Sequence, residues 1–166
     1  MDIKIKVITE GCQPHNMAKG EWIDLCAAKT ITFNSPNGKP TANGTLVSFD
    51  YKMIPLGIAV KLPKGFEAHV LPRSSTYKNR KIMLVNSMGV IDNSYCGNND
   101  EWKFPAIAFD NTEVRLYERI AQFRIELSQK ATIMQKIKWL FTKRIRIVYV
   151  DELEDEDRGG IGSTGI

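Results

Sequence analysis

At 166 residues and 43% hydrophobic, the chain can build one domain with a substantial core and is too short for two. The longest nearly unbroken apolar run, 53–60, holds eight residues and contains Pro55 and Gly57, against the ~20 that a membrane helix needs. The opening MDIKIKVITEG breaks any apolar segment with charge, so no signal peptide is expected and a soluble, cytoplasmic protein is. A net charge of +4, from 23 basic and 19 acidic residues, does not by itself point to nucleic acid.

Period-two alternation marks strands in chain order. Ile3, Ile5 and Val7 alternate with Lys4 and Lys6; Ala121, Phe123, Ile125 and Leu127 alternate with polar residues; Ile145, Ile147 and Tyr149 follow near the end. Turn signals at 35–38, 42–44, 62–65 and 110–111 separate them, which predicts an all-β jelly roll, sandwich or barrel. One segment, 132–142, repeats Ile133, Ile137 and Leu140 at helical spacing, so a short amphipathic helix packed on the β body is expected there. Basic residues Lys136, Lys138, Lys143, Arg144 and Arg146 precede the acidic run 151–157; without a recognition helix or stacking motif, direct nucleic-acid binding is not expected. The last nine residues, RGGIGSTGI, give little to bury, and predict a mobile tail whose amides suit a phosphate chain.

Cysteine and histidine chemistry is not indicated. Cys12, Cys26 and Cys96 are odd in number without a Cys-x-x-Cys pair, and His15 and His69 lack metal-ligand spacing. The informative stretch is 83–104, MLVNSMGVIDNSYCGNNDEWKF. A strand carrying Asp92, with Tyr95 three residues on, at a tight Gly-containing hairpin suits a small planar ligand and an activated water. The expected site is the base-and-sugar pocket of a nucleotide hydrolase.

Further segments complete a constellation: Asp24 in GEWIDL, Arg73, Ser74 and Ser75 in PRSS with Lys78 after it, Arg119 and Gln122 in RIAQ, and the tail's Arg158, Gly162, Ser163 and Thr164. In this order, with GVID followed by Tyr95 and Gly97, these segments resemble the five motifs of the trimeric dUTP diphosphatases (dUTPases), from about Gly20 to the C-terminus. The NNDEW run resembles the bacterial and phage branch.

The resemblance implies a distorted jelly-roll β-barrel over 1–157, an extended connection at 129–150, and a flexible arm, 158–166, closing a neighbouring active site of a homotrimer. It implies hydrolysis of dUTP to dUMP and pyrophosphate, keeping uracil out of DNA. Asp92 matches the water-orienting carboxylate and Tyr95 the ring under the deoxyribose. Asn86 matches the base-contacting amide, flanked by the hairpin backbone at Gly89 and Ile91. Arg73, Ser74, Ser75, Gln122, Arg158, Gly162, Ser163 and Thr164 match phosphate contacts, and Asp24 the residue that reaches Mg²⁺ through water. Lys78 and Arg119 suit pairing at a surface or between subunits equally well.

The usual family tail carries Arg five residues before an aromatic ring. Here Arg158 stands three before Ile161, so the arm is shorter and lacks its ring, and Trp102 or Phe104 is expected to serve as the lid. A dCTP deaminase of the same fold would need an acid on the strand after the hairpin, where FPAIAF has none. A nucleotide-sensing interaction protein on the same barrel is the other alternative, with 129–150 as the place for a protein partner.

Overall fold

The computed structural model describes residues 1–16, 21–142 and 144–159, with His15 and Asn16 described by backbone alone. Strands β1 (Asp2–Val7), β2 (His15–Asn16), β3 (Ile23–Cys26), β4 (Ile31–Phe33), β5 (Asn37–Thr41), β6 (Gly44–Ser48), β7 (Tyr51–Pro55), β8 (Ile58–Lys61) and β9 (Phe66–Pro72) come first. Helix α1 (Thr76–Arg80) follows, then β10 (Ile82–Leu84), β11 (Gly89–Asp92), β12 (Lys103–Ala108), β13 (Thr112–Val114) and β14 (Arg119–Leu127). Helix α2 (Ile133–Leu140) and β15 (Arg146–Tyr149) close the described chain. The all-β expectation holds, and no described helix is long and apolar enough to cross a membrane.

The alternating patterns become half-buried strands. Ile3 and Ile5 of β1 are fully buried while Asp2 and Lys4 are exposed; on β14, Ala121, Phe123 and Ile125 enter the same core. Burying such side chains contributes roughly 1.5–3 kcal/mol each before the entropy of ordering is subtracted. A five-stranded sheet runs β11-β9-β14-β3-β2, and three-stranded sheets run β15-β1-β8 and β10-β12-β7. β13 pairs with β4, and the exposed hairpin β5-β6 turns at 42–43 as the Asn43-Gly44 signal predicts.

Two connections differ from the sequence reading. β10 and β11 flank a tight turn at 85–88 but do not pair with each other: β10 bonds to β12 and β11 to β9. The expected hairpin is thus a corner between two sheets, with Ser87 at φ 58 turning it. β15 runs parallel to β1, Asp2 opposite Arg146 and Ile5 opposite Tyr149, so 146–149 lie beside the first strand.

Helix α2 forms where expected, with a capping box between Thr132 and Gln135. Its packing face is not the expected one. Ile133 and Leu140 are 75% and 81% exposed, and Trp139 packs on Phe66 with ring centroids 5.4 Å apart. Gln135, one turn earlier on that side, donates to Lys64 O at 2.7 Å beside Gly65, where a Cβ would collide with the Gln135 amide and where φ is 86.

Candidate active site

Asp92 ends β11 at the mouth of a cavity of about 240 Å³ lined in part by Asn86, Gly89, Ile91, Tyr95, Trp102 and Arg158. β11 is held there by β9, Gly89 opposite Val70 and Asp92 opposite Glu67. The two carboxylate oxygens of Asp92 have different work. Oδ1 accepts the Ser94 amide at 2.8 Å and the Ser94 hydroxyl at 2.5 Å, a turn that fixes the carboxylate plane. Oδ2 accepts from Arg158 Nη1 at 2.9 Å.

Partial burial alone would raise the Asp92 pKa, but the Ser94 hydroxyl and amide and the Arg158 guanidinium outweigh it and hold the acid below its ordinary value. It is a carboxylate at neutral pH. Tyr95 stands next to it, its amide donating to Asp92 O at 3.2 Å and its hydroxyl to Glu101 O at 3.0 Å. Burial, then Asp100, Glu101 and Asp157, push the phenol up, so the ring stays neutral.

A second group lies elsewhere on the same sheet. Asp24 on β3 is 2% exposed and receives Arg73 Nε at 3.1 Å and Arg119 Nη1 at 3.3 Å, both on Oδ2. Gln122 faces Asp24 across the β14–β3 ladder and donates to Pro72 O at 3.2 Å. Ser74 and Ser75 follow Arg73 in the turn before α1, and Thr76 Oγ1 anchors that turn to Ile120 O at 2.7 Å. The sequence reading missed α1; its five residues are too few to show a helical period, and Ser75 before TYKNR was the available signal. Lys78 lies exposed on it.

The two groups do not share a pocket within one chain. In the β9 register, Asp92 sits beside Glu67, whereas Ala121 sits beside Pro72. Those five positions span ~17 Å at ~3.3 Å each. Arg73, Ser74, Ser75, Gln122 and Asp24 line no part of the Asp92 cavity.

The structure bears on three expectations. Two guanidinium groups hold Asp24 Oδ2, and no cluster of three or more His, Cys, Asp or Glu able to hold a metal occurs among the described residues, which argues against direct ligation by Asp24 and not against a contact through water. Neither Trp102 nor Phe104 is free to act as a lid. Phe104 is 0% exposed on β12, and Trp102, 1% exposed, packs edge-on against Phe123 at 5.1 Å, so Trp102 forms cavity wall. Arg158 and Gly159 lie in the chain's own cavity, and the rest of the arm, from residue 160, falls outside the described residues. Gly162, Ser163 and Thr164 fall outside the described residues.

Three residues of the charge runs pair with the body of the chain. Arg146 pairs with Asp2, Lys61 with Asp155, and Lys4 with Glu154 at 3.8 Å. All three cysteines are free and buried; burial and the neighbouring Cys26 push the Cys12 thiol up to about 12.

Comparison with known proteins identifies the family and the fold. Residues 23–164 match the family model described as dUTPase. The chain is 42% identical over 166 residues, covering 99% of both proteins, to the SPbeta prophage-derived deoxyuridine 5'-triphosphate nucleotidohydrolase YosS of Bacillus subtilis (strain 168). Its fold is similar to that of a dUTPase from Streptococcus mutans, at TM-score 0.63 and 20% identity over 77% of this chain and 98% of that one. It is also similar, at TM-score 0.60 and 13% identity, to a mutant dUTPase of the S. aureus phage phi11, covering 79% of this chain and 94% of that one. That structure reveals the coordination of a structural Mg(II) ion.

Proposed function

Because the chain belongs to the dUTPase family, and is thereby a dUTP diphosphatase, we propose that it hydrolyses dUTP to dUMP and pyrophosphate with Asp92 orienting the attacking water. The observation that carries this reading is the division of labour at Asp92. Oδ1 is pinned by Ser94, and Oδ2 faces the cavity beside Tyr95, ionised and held only by a surface arginine. A carboxylate fixed through one oxygen can accept a water proton through the other without turning away.

The nucleoside enters the cavity. Asn86 offers an amide that both donates and accepts toward the base edge, and the backbone around Gly89 and Ile91 reads the remaining polar atoms. Cytosine, with donor and acceptor reversed, leaves buried polar groups unpaired at a cost of ~1–3 kcal/mol each. The Tyr95 ring packs under the sugar, where a ribose 2′-hydroxyl would collide with it. The water oxygen bonds to the α-phosphorus, the bond to the α–β bridging oxygen breaks, and pyrophosphate leaves with that electron pair.

The triphosphate needs cations and amides that the Asp92 cavity lacks. Arg73, Ser74, Ser75 and Gln122 supply them, and the ~17 Å along β9 favours a second copy of the chain as their source. A homotrimer with sites shared between subunits satisfies this. Arg158 leaves Asp92 for the terminal phosphate, and Gly162, Ser163 and Thr164 complete the arm. Magnesium is the expected cofactor, neutralising phosphate charge as it enters with the substrate. The donor set at Asp24 does not fit a protein-held ion, so this chain's own contribution is position and charge.

Pyrophosphate release from dUTP, dTTP, dCTP and UTP with Mg²⁺ tests the reading. Wild type should turn over dUTP alone, and Asp92→Asn should lose at least ~100-fold in kcat. Equal rates in the mutant, or ammonia released from dCTP, would overturn it.

A further inference from the structure

The run Asn98-Asn99-Asp100 has no part in base, sugar or phosphate binding, yet each of its three side chains holds a piece of the C-terminal segment. Asn98 Oδ1 accepts the Leu153 amide at 2.9 Å, and Leu153 is fully buried. Asn99 donates its amide at 2.8 Å and its Nδ2 at 2.6 Å to the two oxygens of Asp157. Asp100, 1% exposed, accepts the Arg158 amide at 2.9 Å and the Gly159 amide at 3.1 Å, besides the Gly97 amide of its own loop at 2.9 Å. Gly97 admits the tail, because a Cβ there would collide with the backbone of Asp157.

We propose that Asn98-Asn99-Asp100 is a clamp that holds 153–159, the segment leading into the C-terminal arm, on its own chain, with Asp100 as the residue that positions Arg158. An aspartate that merely closed its own turn would need only Gly97. Asp100 instead spends both oxygens on amides 58 and 59 positions away. Two successive amides on one carboxylate fix the direction of the chain at Arg158, so the guanidinium moves by its own rotations about an anchored Cα. It pairs with Asp92 here and turns to phosphate when substrate binds, while 157–159 stay docked. The catalytic part of this rests on the phosphate role of Arg158 proposed above; the clamp itself does not.

Hydrogen exchange by mass spectrometry on the full-length protein, read beside steady-state dUTP kinetics, separates the two. In Asp100→Asn, an amide group faces N–H donors where a carboxylate accepted them. Exchange at Arg158 and Gly159 should quicken by about tenfold or more while β14 keeps its protection. KM for dUTP should rise by a larger factor than kcat falls, and adding Arg158→Ala to Asp100→Asn should cost no more than Arg158→Ala alone. Asn99→Ala, outside the cavity, should loosen the same segment more weakly. Unchanged exchange in both variants, or losses that multiply in the double mutant, would overturn the proposal. Faster exchange with undiminished turnover in Arg158→Ala supports the clamp and removes the phosphate role of Arg158 instead.

Discussion

Asp24 and Asp92 each hold arginine, at positions flanking opposite ends of β9, and the surroundings of the two pairs differ. The Asp24 side chain is 3% exposed and bridges two guanidinium groups on one oxygen. Asp92 and Arg158 are 49% and 41% exposed and meet through one bond. Breaking a buried pair leaves an uncompensated charge, at about 3–5 kcal/mol, whereas an exposed pair contributes about 0–1 kcal/mol. The Asp24 carboxylate is therefore scaffold, although Arg73 and Arg119, 26% and 43% exposed, keep side-chain surface accessible to a phosphate. The Asp92 pair opens at little cost, as a group that must release a carboxylate to meet a substrate requires.

Removing both arginines from the scaffold gives the largest expected effect. Arg73→Ala with Arg119→Ala strands the Asp24 carboxylate and should lower unfolding free energy in urea by about 3 kcal/mol or more. A loss under 1 kcal/mol would mean that Asp24 reaches solvent and that the contrast between the two pairs is false. Tyr95→Phe comes next. Its hydroxyl bond to Glu101 O is worth about 1 kcal/mol of stability, while the ring, and with it rejection of UTP, should survive.

Arg158→Ala should change stability least, by less than about 1 kcal/mol. Its signature is in pH. The folded Asp92 pKa lies below its ordinary value, so the carboxylate stays active as pH falls until that lowered pKa is crossed. Arg158 is among the groups that lower it, so the acid limb of kcat/KM should move to higher pH in the variant. The contribution of Asp92 to stability has the same sign, present above its unfolded pKa and lost as pH falls through the folded one. An unmoved limb would show that Ser94 alone sets the carboxylate.

The residues that define these pairs differ in how well the sequence announced them. Asp92 and Tyr95 were legible because GVIDxxY carries a turn, a carboxylate and a ring within seven residues. β1 and β14 were legible from period two. The arm's path was not, because it depends on β15 lying parallel to β1 and on single hydrogen bonds between residues nearly 60 positions apart. Asp100 read as loop polarity for that reason. Trp102 and Phe104 read as free rings, although both, one just before β12 and one on it, are buried in the core on either side of exposed Lys103. Asp24 was found at the site, but its two arginines, from β14 and the end of β9, could not be assigned to it without the sheet register.

The central claim is that one active site needs Asp92 from one chain and the Arg73–Gln122 group from another. Refolding a mixture of Asp92→Asn chains with Ser74→Ala/Gln122→Ala chains tests it most directly. Each variant alone should be nearly inactive. An equal mixture should recover about a quarter of wild-type sites overall, and each mixed trimer about one site in three, where an intact Asp92 meets an intact phosphate group across an interface. Mixed trimers verified by mass spectrometry that stay as inactive as their parents would show that each chain builds its site alone.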